Sequence, residues 1–361
     1  MKQLLLLLFI FIFALKTFAD DEEINRAASK MFLNVKKMIN QEKYLEAVSL
    51  LDSAIQIEPD RVAFKYEKAL ALYKLEKFAD AAATVYPLTQ RSDASDQVWQ
   101  LFGNIIFMDG NKDSAEKIYN YGLSKFPDSG KLMMEIGICQ YVTGKKNEAL
   151  GSWEQGIARQ PAYGGNYFHL SKYFSKTNDK IWSVLYGEYY IQVLAGTGKT
   201  AEMGKILCDT YNSALRYMFD DKTIGVRFIN AKSQNNITLK ENSFQFIFQS
   251  LMEKASDSII KKKLVKYSIL ELSIIRANFI NLWMAGNHQQ KYKIKLFEKY
   301  KELIEAGLFE AYNYTIFKSF NEEEYNKWSI ANSQVLIKLR LWLSEHPIEL
   351  TKSNYFSRDI N

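Results

Sequence analysis

The sequence predicts an all-α chain: a right-handed solenoid of four to five helical hairpins, then a helical C-terminal module with room for a small β-hairpin. Three observations carry this. Ala47, Ala81, Ala115 and Ala149 recur at intervals of 34 residues, and Ser183 continues the series; a fixed period of that size marks stacked supersecondary units. In the other half of the chain, residues such as Phe244, Phe248, Leu251 and Ala255 share one helical face. Only 5 prolines and 17 glycines occur in 361 residues, too few for a sandwich of many short strands. A hydrophobic fraction of 47% and an aromatic fraction of 14% exclude a disordered or collagen-like chain.

The first element is a leader. Met1-Lys2-Gln3 precede an apolar run from Leu4 to Leu15, too short to cross a bilayer, which needs roughly 20 residues. Thr17-Phe18-Ala19 places small residues three and one before a cut, and Asp20-Asp21-Glu22-Glu23 follows. This is the pattern of a cleaved signal over residues 1–19, and it predicts an exported protein, periplasmic or secreted. No cysteine lies near the cut to take a lipid, and no later run reaches 18 apolar residues, so no stable membrane span is expected. Removing the leader leaves 45 basic against 41 acidic residues, a net of +4. So slight an excess gives no reason to expect a nucleic-acid partner. Lys261-Lys262-Lys263 and Glu322-Glu323-Glu324 read as solvated helix faces.

The periodic region follows, over residues 28–196. Twelve residues after three of the alanines come Pro59, Pro127 and Pro161; twelve before the four come Val35, Ala69, Gly103 and Gly137. A small residue in the first helix of a hairpin lets the second approach, and proline stops the second helix because it cannot continue the hydrogen-bond ladder. Gly110 and Gly144 share a turn position, and Tyr44 and Phe78 an aromatic one. One such hairpin cannot bury its apolar face, whereas stacked neighbours can. The pattern is fullest in Trp99, Phe102-Gly103, Gly110, Ala115, Tyr119 and Pro127, and there it resembles the tetratricopeptide repeat. The resemblance covers about half the chain. Lys65 and Asp93 depart from it in the second unit. The fifth unit, residues 164–196, has Ser171, Ser183 and Gly187 at small positions and no closing proline, as a capping repeat would.

In that family, partners bind the concave face made by the first helices. The resemblance therefore implies a lining of Phe32, Lys36 and Ile39; Tyr66, Leu70 and Tyr73; Gln100, Asn104 and Phe107; Met134, Ile138 and Tyr141; and Phe168, His169 and Lys172. The partner-binding candidates are Tyr66, Tyr73, Gln100, Asn104, Phe107, Met134, Tyr141, Phe168 and His169. No matched basic set exists to clamp a terminal carboxylate, so the surface suits an extended or helical peptide with apolar anchors. Tyr73, Phe107 and Tyr141 share one repeat position and are expected to form a stripe, with Asn104 pairing to a peptide backbone. The alternative is that these rings pack against the solenoid's own extension.

Residues 197–361 form the C-terminal module. Met203, Leu207, Tyr211 and Leu215 predict a helix over 197–219. Thr223–Ala231 and Ile237–Leu239, around Gln234-Asn235-Asn236, read as a hairpin. Helices follow from Ser243, over Leu264–Met284, over Phe297–Ala306 and Leu308–Phe320 about Gly307, and from Asn321 to about Glu345 before Pro347. Asn321 with Glu324 gives the last one a capping-box start. Trp283, Trp328 and Trp342 read as core. The stretch Leu296–Phe317 resembles the C-terminal part of exported repeat proteins from Bacteroidota, which implies a compartment and no activity.

No catalytic constellation emerges. His169, His288 and His346 are the only histidines, no Cys or His pair has zinc-ligand spacing, and no G-x-S-x-G elbow occurs. Asp220-Asp221 reads as a solvated loop pair, and Cys139 and Cys208 as buried thiols in separate helices. Gly198-Lys199-Thr200 ends like a phosphate loop, but Val193 stands where the first glycine is needed and the repeat register puts a helix before it. The expectation is a non-enzymatic scaffold or adaptor outside the cytoplasm, without a cofactor, holding a protein or peptide partner. The competing readings are an enzyme with its site in residues 197–361 and a nucleotide-binding protein using Gly196–Thr200.

Overall fold

A computed structural model describes residues 25–194, 200–218, 224–230, 243–260 and 266–358. The leader, Lys199, Asp220-Asp221, Ile237–Leu239 and the Lys261–Lys263 run lie outside these residues. The chain divides after Pro127 into two compact units.

The first unit holds α1 (residues 25–40), α2 (Tyr44–Ile57), α3 (Val62–Lys74), α4 (Phe78–Thr89), α5 (Asp96–Met108) and α6 (Lys112–Lys125). The second holds α7 (Gly130–Val142), α8 (Lys146–Arg159), α9 (Gly164–Phe174), α10 (Lys180–Val193), α11 (Ala201–Leu215), α12 (Phe244–Ile260), α13 (Ile269–Ala285), α14 (Lys295–Glu305), α15 (Phe309–Phe317), α16 (Glu322–Ala331) and α17 (Ser333–Glu345). First helices begin at Val62, Asp96, Gly130 and Gly164, and second helices at Tyr44, Phe78, Lys112, Lys146 and Lys180. Both series keep the 34-residue step, so five helical hairpins are formed, and among the described residues the fold is all-α apart from one pair of two-residue strands.

The turn inside each hairpin explains the shared glycine position. Gly110 and Gly144 have φ of +96° and +87°, and Glu76 and Glu42, one and two repeats before Gly110, are held at +59° and +60°. The four positions adopt one left-handed turn, and glutamate bears a strain there that glycine avoids. The small positions are filled in a complementary way by the residue sixteen later. A Cβ on Gly103 would stand 2.1 Å from the Tyr119 ring, and one on Gly137 would stand 2.3 Å from Trp153. Where the first helix carries Ala69 or Val35, the partner is Val85 or Leu51, all fully buried. In the fifth hairpin both sides are small, and Leu207 and Met203 of α11 fill the space beside Gly187.

The second unit has one large apolar core, from Ala149 in α8 to Phe356 in the tail, with Trp283, Phe248, Phe317 and Tyr312 among its buried side chains. The boundary near residue 196 is thus the end of a register, while the buried core runs across it. The strands β1 (Tyr217–Met218) and β2 (Ile224–Gly225) pair antiparallel. Tyr217–Met218 is thus a strand where the end of a helix is expected, while the expected hairpin's second strand, Ile237–Leu239, lies outside the described residues. The helix expected over 321–345 is two: it breaks at Asn332, whose φ of −120° and ψ of 24° leave the helical range. Asn321 caps α16 by accepting from the Glu324 N–H at 3.2 Å. The Glu324 carboxylate does not close the box; it accepts from the N–H groups of Ile269 and Leu270 at 3.1 and 3.2 Å. It thereby caps α13 from outside, where a negative charge suits a helix N-terminus, and so is not part of a solvated run.

Candidate functional site

The first-helix positions are occupied as follows in the first unit. Tyr66 and Tyr73 lie half-buried on α3 against the cluster of Ala69, Leu72, Val85 and Ile105. The Tyr73 ring is 6.2 Å from Phe78, and burial, with Glu67 and Asp96 beside it, pushes the Tyr66 phenol up. Gln100, Asn104 and Phe107 are half-buried along α5. The Asn104 carbonyl accepts from the Tyr119 hydroxyl inside its own hairpin. Lys36 pairs with the buried Glu67 carboxylate.

In the second unit the expected positions are joined by rings from other helices into a row. Tyr173 meets Tyr141 at 6.1 Å, Tyr141 meets Trp153 at 6.0 Å, and Trp153 stacks on His169 at 5.3 Å with planes 20° apart. His169 meets Phe168 edge-on at 5.5 Å, and Phe168 meets Tyr190 at 5.4 Å. Such contacts hold rings in fixed orientations. Trp153 is the buried root of the row: its indole N–H donates to the Met134 carbonyl at 3.1 Å. Tyr141 is the open member, 39% exposed. Met134 is packed, with its sulfur 3.4 Å from the Tyr163 hydroxyl. Burial pushes the His169 imidazole down to about 4, helped by Lys172, so it is neutral at ordinary pH and serves as a flat ring. Lys172 lies 5.2 Å from the Phe168 ring and pairs with Glu202 at 3.1 Å at the edge of the row.

Of the expected stripe, Tyr73 and Phe107 belong to the first unit and Tyr141 to the second. Sequence reasoning missed Trp153, Tyr173 and Tyr190 as members of the row. Trp153 could have been found, since it stands 34 residues after Tyr119.

A second missed cluster is wholly buried. Arg276, an interruption in an otherwise apolar helix by sequence, pairs with Glu188 of α10 and donates to the Asn313 carbonyl oxygen. Tyr300 donates to Glu188, and Gln192 donates to the Tyr312 hydroxyl at 2.6 Å. Rings of Phe317, Tyr300, Phe309 and Tyr211 surround the guanidinium at 5.0 to 5.6 Å. Burial pushes the Glu188 carboxyl up, against the pull of Arg276. Burial also opposes the Arg276 charge, and Glu188 with the neighbouring phenols more than restores it. The adjoining cavity, about 20 Å³, has room for about one water and none for a substrate. This cluster ties α10 to α13, α14 and α15 and is read as structural.

The other sequence candidates are placed as follows. Cys139 and Cys208 are buried thiols and are not joined in a disulfide. Trp283 is fully buried; Trp328 stacks on Tyr314 at 4.3 Å, and Trp342 stacks on His346 at 4.2 Å. His288 lies beside Trp283 at 5.2 Å. Among the described residues no group of three or more His, Cys, Asp or Glu could hold a metal ion, and no helix is long and apolar enough to cross a membrane.

Comparison with known proteins agrees with the repeat register. A tetratricopeptide repeat family model matches residues 39–96, spanning parts of the first two hairpins. No curated protein matches. Among solved structures, YrrB, described as "a TPR protein with an unusual peptide-binding site", is similar at 10% identity, over 46% of this chain and 86% of its own, with a TM-score of 0.32.

Proposed function

We propose that this chain is a non-enzymatic interaction protein that holds a peptide segment of a protein partner on the first-helix face of its repeats. The observation that carries the reading is the row Tyr173–Tyr141–Trp153–His169–Phe168–Tyr190, fixed by mutual contacts and open at Tyr141. Rigid rings give large contact area for little entropy loss, and such residues dominate binding energy at protein interfaces. The uncharged imidazole and the edge placement of Lys172 and Glu202 favour an apolar anchor in the middle of the ligand with polar groups at its rim. The ligand is an extended or helical peptide with aromatic or aliphatic anchors. The leader pattern at residues 1–19 supports a place of action outside the cytoplasm.

Two experiments test this. Selection from a displayed random-peptide library against the protein lacking residues 1–19 should enrich sequences with spaced apolar anchors, and Tyr141→Ala should lose those sequences. Enrichment of no sequence, or of sequences that Tyr141→Ala binds equally well, would remove the groove reading. The export reading is tested by sequencing the N-terminus of the protein from its native host: a start at Asp20 supports it, and an intact Met1 in the cytoplasmic fraction rejects it.

A further inference from the structure

Residues 350–358 form neither helix nor strand and lie against α8 and α10. Phe356 is 2% exposed. Its ring stacks on Tyr189 at 5.0 Å with planes 19° apart, meets Tyr186 edge-on at 5.3 Å and lies 6.4 Å from Trp182. Two residues on, Arg358 donates through Nε and Nη2 to the two oxygens of Glu154, the second bond being 3.1 Å. Its guanidinium also sits 4.9 Å from the Phe174 ring. The Tyr186 hydroxyl donates to the same carboxylate at 3.0 Å. Residues 351–354 close on themselves: the Thr351 N–H donates to Asn354 Oδ1 at 2.7 Å, and the Asn354 N–H to the Thr351 carbonyl at 3.1 Å. Lys352 reaches Asp128 at 2.6 Å, but both side chains are open to solvent, and such a pair holds weakly.

This is the anchoring of a bound peptide: one ring in an aromatic slot, one guanidinium fork on a carboxylate, and a self-contained stretch before them. We infer that Trp182, Tyr186, Tyr189 and Glu154 form a second peptide site, specific for an extended segment with an aromatic residue followed two positions later by arginine, and that the chain's own tail occupies it as an internal ligand. None of these four anchoring residues belongs to the row about Tyr141, so the anchoring site stands or falls separately from that reading. The fork geometry selects arginine over lysine, because two parallel N–H groups meet two carboxylate oxygens. The stacked slot selects a ring over an aliphatic side chain. A cleft of about 590 Å³ opens beside Arg358, lined by Asn147, Asn178, Asp179 and Gln245 among others. It offers hydrogen-bonding groups to the residues of a partner next to its arginine. A partner of this chemistry displaces the tail, and the tail sets the concentration at which it can do so.

The test uses the full chain carrying Phe356→Ala as receptor and a fluorescent peptide with the sequence of residues 350–361, followed by polarisation. The variant should bind the peptide saturably, and the unaltered chain at least tenfold more weakly because its own tail competes. Peptides carrying Phe356→Ala or Arg358→Glu should compete at least tenfold less well. A variant that is folded by circular dichroism and binds no peptide overturns the proposal, and so do altered peptides that compete equally. If Phe356→Ala does not fold, the chain cut at a protease site inserted after Glu349 takes its place. Unfolding of the cut chain as well would show that the tail cannot leave its slot without loss of the fold and would overturn the proposal.

Discussion

The two units use one 34-residue hairpin in different ways. In the first, apolar contacts are local: Ala28, Val35, Leu51, Ala54 and Phe64 form one cluster, and Ala69, Val85 and Ile105 belong to the next. In the second, the repeat helices α8 to α10 share a single core with α11 to α15, α17 and the tail, with a charged pair sealed inside it. A stack of local clusters has stability that is nearly a sum of neighbour terms. A shared core with a buried ion pair couples its members, so damage anywhere in it spreads. The aromatic row about Tyr141 grows from the coupled unit, which fixes the orientation of its rings.

The largest effect that can break this contrast comes from the buried pair. Glu188→Ala leaves Arg276 charged and unpaired, which typically costs about 3–5 kcal/mol. Hydrogen exchange should show α10 and α13 to α15 opening together, with α1 to α6 unchanged. Replacing both partners, Glu188→Leu with Arg276→Met, should recover most of the loss, since an apolar pair carries no desolvation penalty. Loss of protection in α1 to α6 as well would show that the units do not behave separately.

Next come the paired glycines. Gly103→Ala and Gly137→Ala each drive a methyl into a ring, Tyr119 or Trp153, at a cost of roughly 1–3 kcal/mol. In the first unit the damage should stay within α5 and α6. In the second it should also alter the near-ultraviolet dichroism of the aromatic row, because Trp153 is its root. Equal reach for both variants would contradict the contrast.

A smaller effect depends on pH. The folded His169 titrates near 4, against an ordinary value of 6.5. As pH falls from 6.5 to about 4, the unfolded chain takes up a proton there and the folded chain does not, so stability of the second unit should drop by roughly 1–3 kcal/mol. His169→Gln should flatten that part of the stability profile; an unchanged slope would mean that the imidazole is not held neutral. Smallest are the turns. Gly110→Ala should cost about 1 kcal/mol from backbone strain alone, since nothing lies within 4 Å of the added methyl. Glu76→Gly should gain a few tenths of a kcal/mol by relieving the same strain. Both are read by thermal midpoint.

The repeats were legible because each requirement is local. Alanine in the second helix, a small residue in the first and a turn between them recur every 34 residues, so spacing alone locates the hairpins. Even there Glu42 and Glu76 hid the turn, because glutamate does not advertise a positive φ. Long-range pairings left no such trace. Glu188 and Arg276 are 88 positions apart, and a charge in a largely apolar helix, as at Arg276 or Glu271, reads as an interruption of the pattern until its partner is seen. The break at Asn332 was missed because the apolar spacing continues through it. The row about Tyr141 was half legible: Tyr141, Phe168 and His169 follow from the register, whereas Trp153 and Tyr190 come from second helices and Tyr173 from a first-helix position outside the expected lining.

The most direct test of the central claim is a paired measurement on Tyr141→Ala and Trp153→Ala, using a peptide selected against the unaltered protein. Tyr141 is open and Trp153 is buried, at 39% and 2% exposure. The account predicts that Tyr141→Ala keeps its thermal midpoint within a few degrees and loses about 2–4 kcal/mol of peptide affinity. Trp153→Ala should lose about 3–5 kcal/mol of stability. Tyr141→Ala that binds the peptide as tightly as the unaltered protein would contradict the claim that the row is the ligand face.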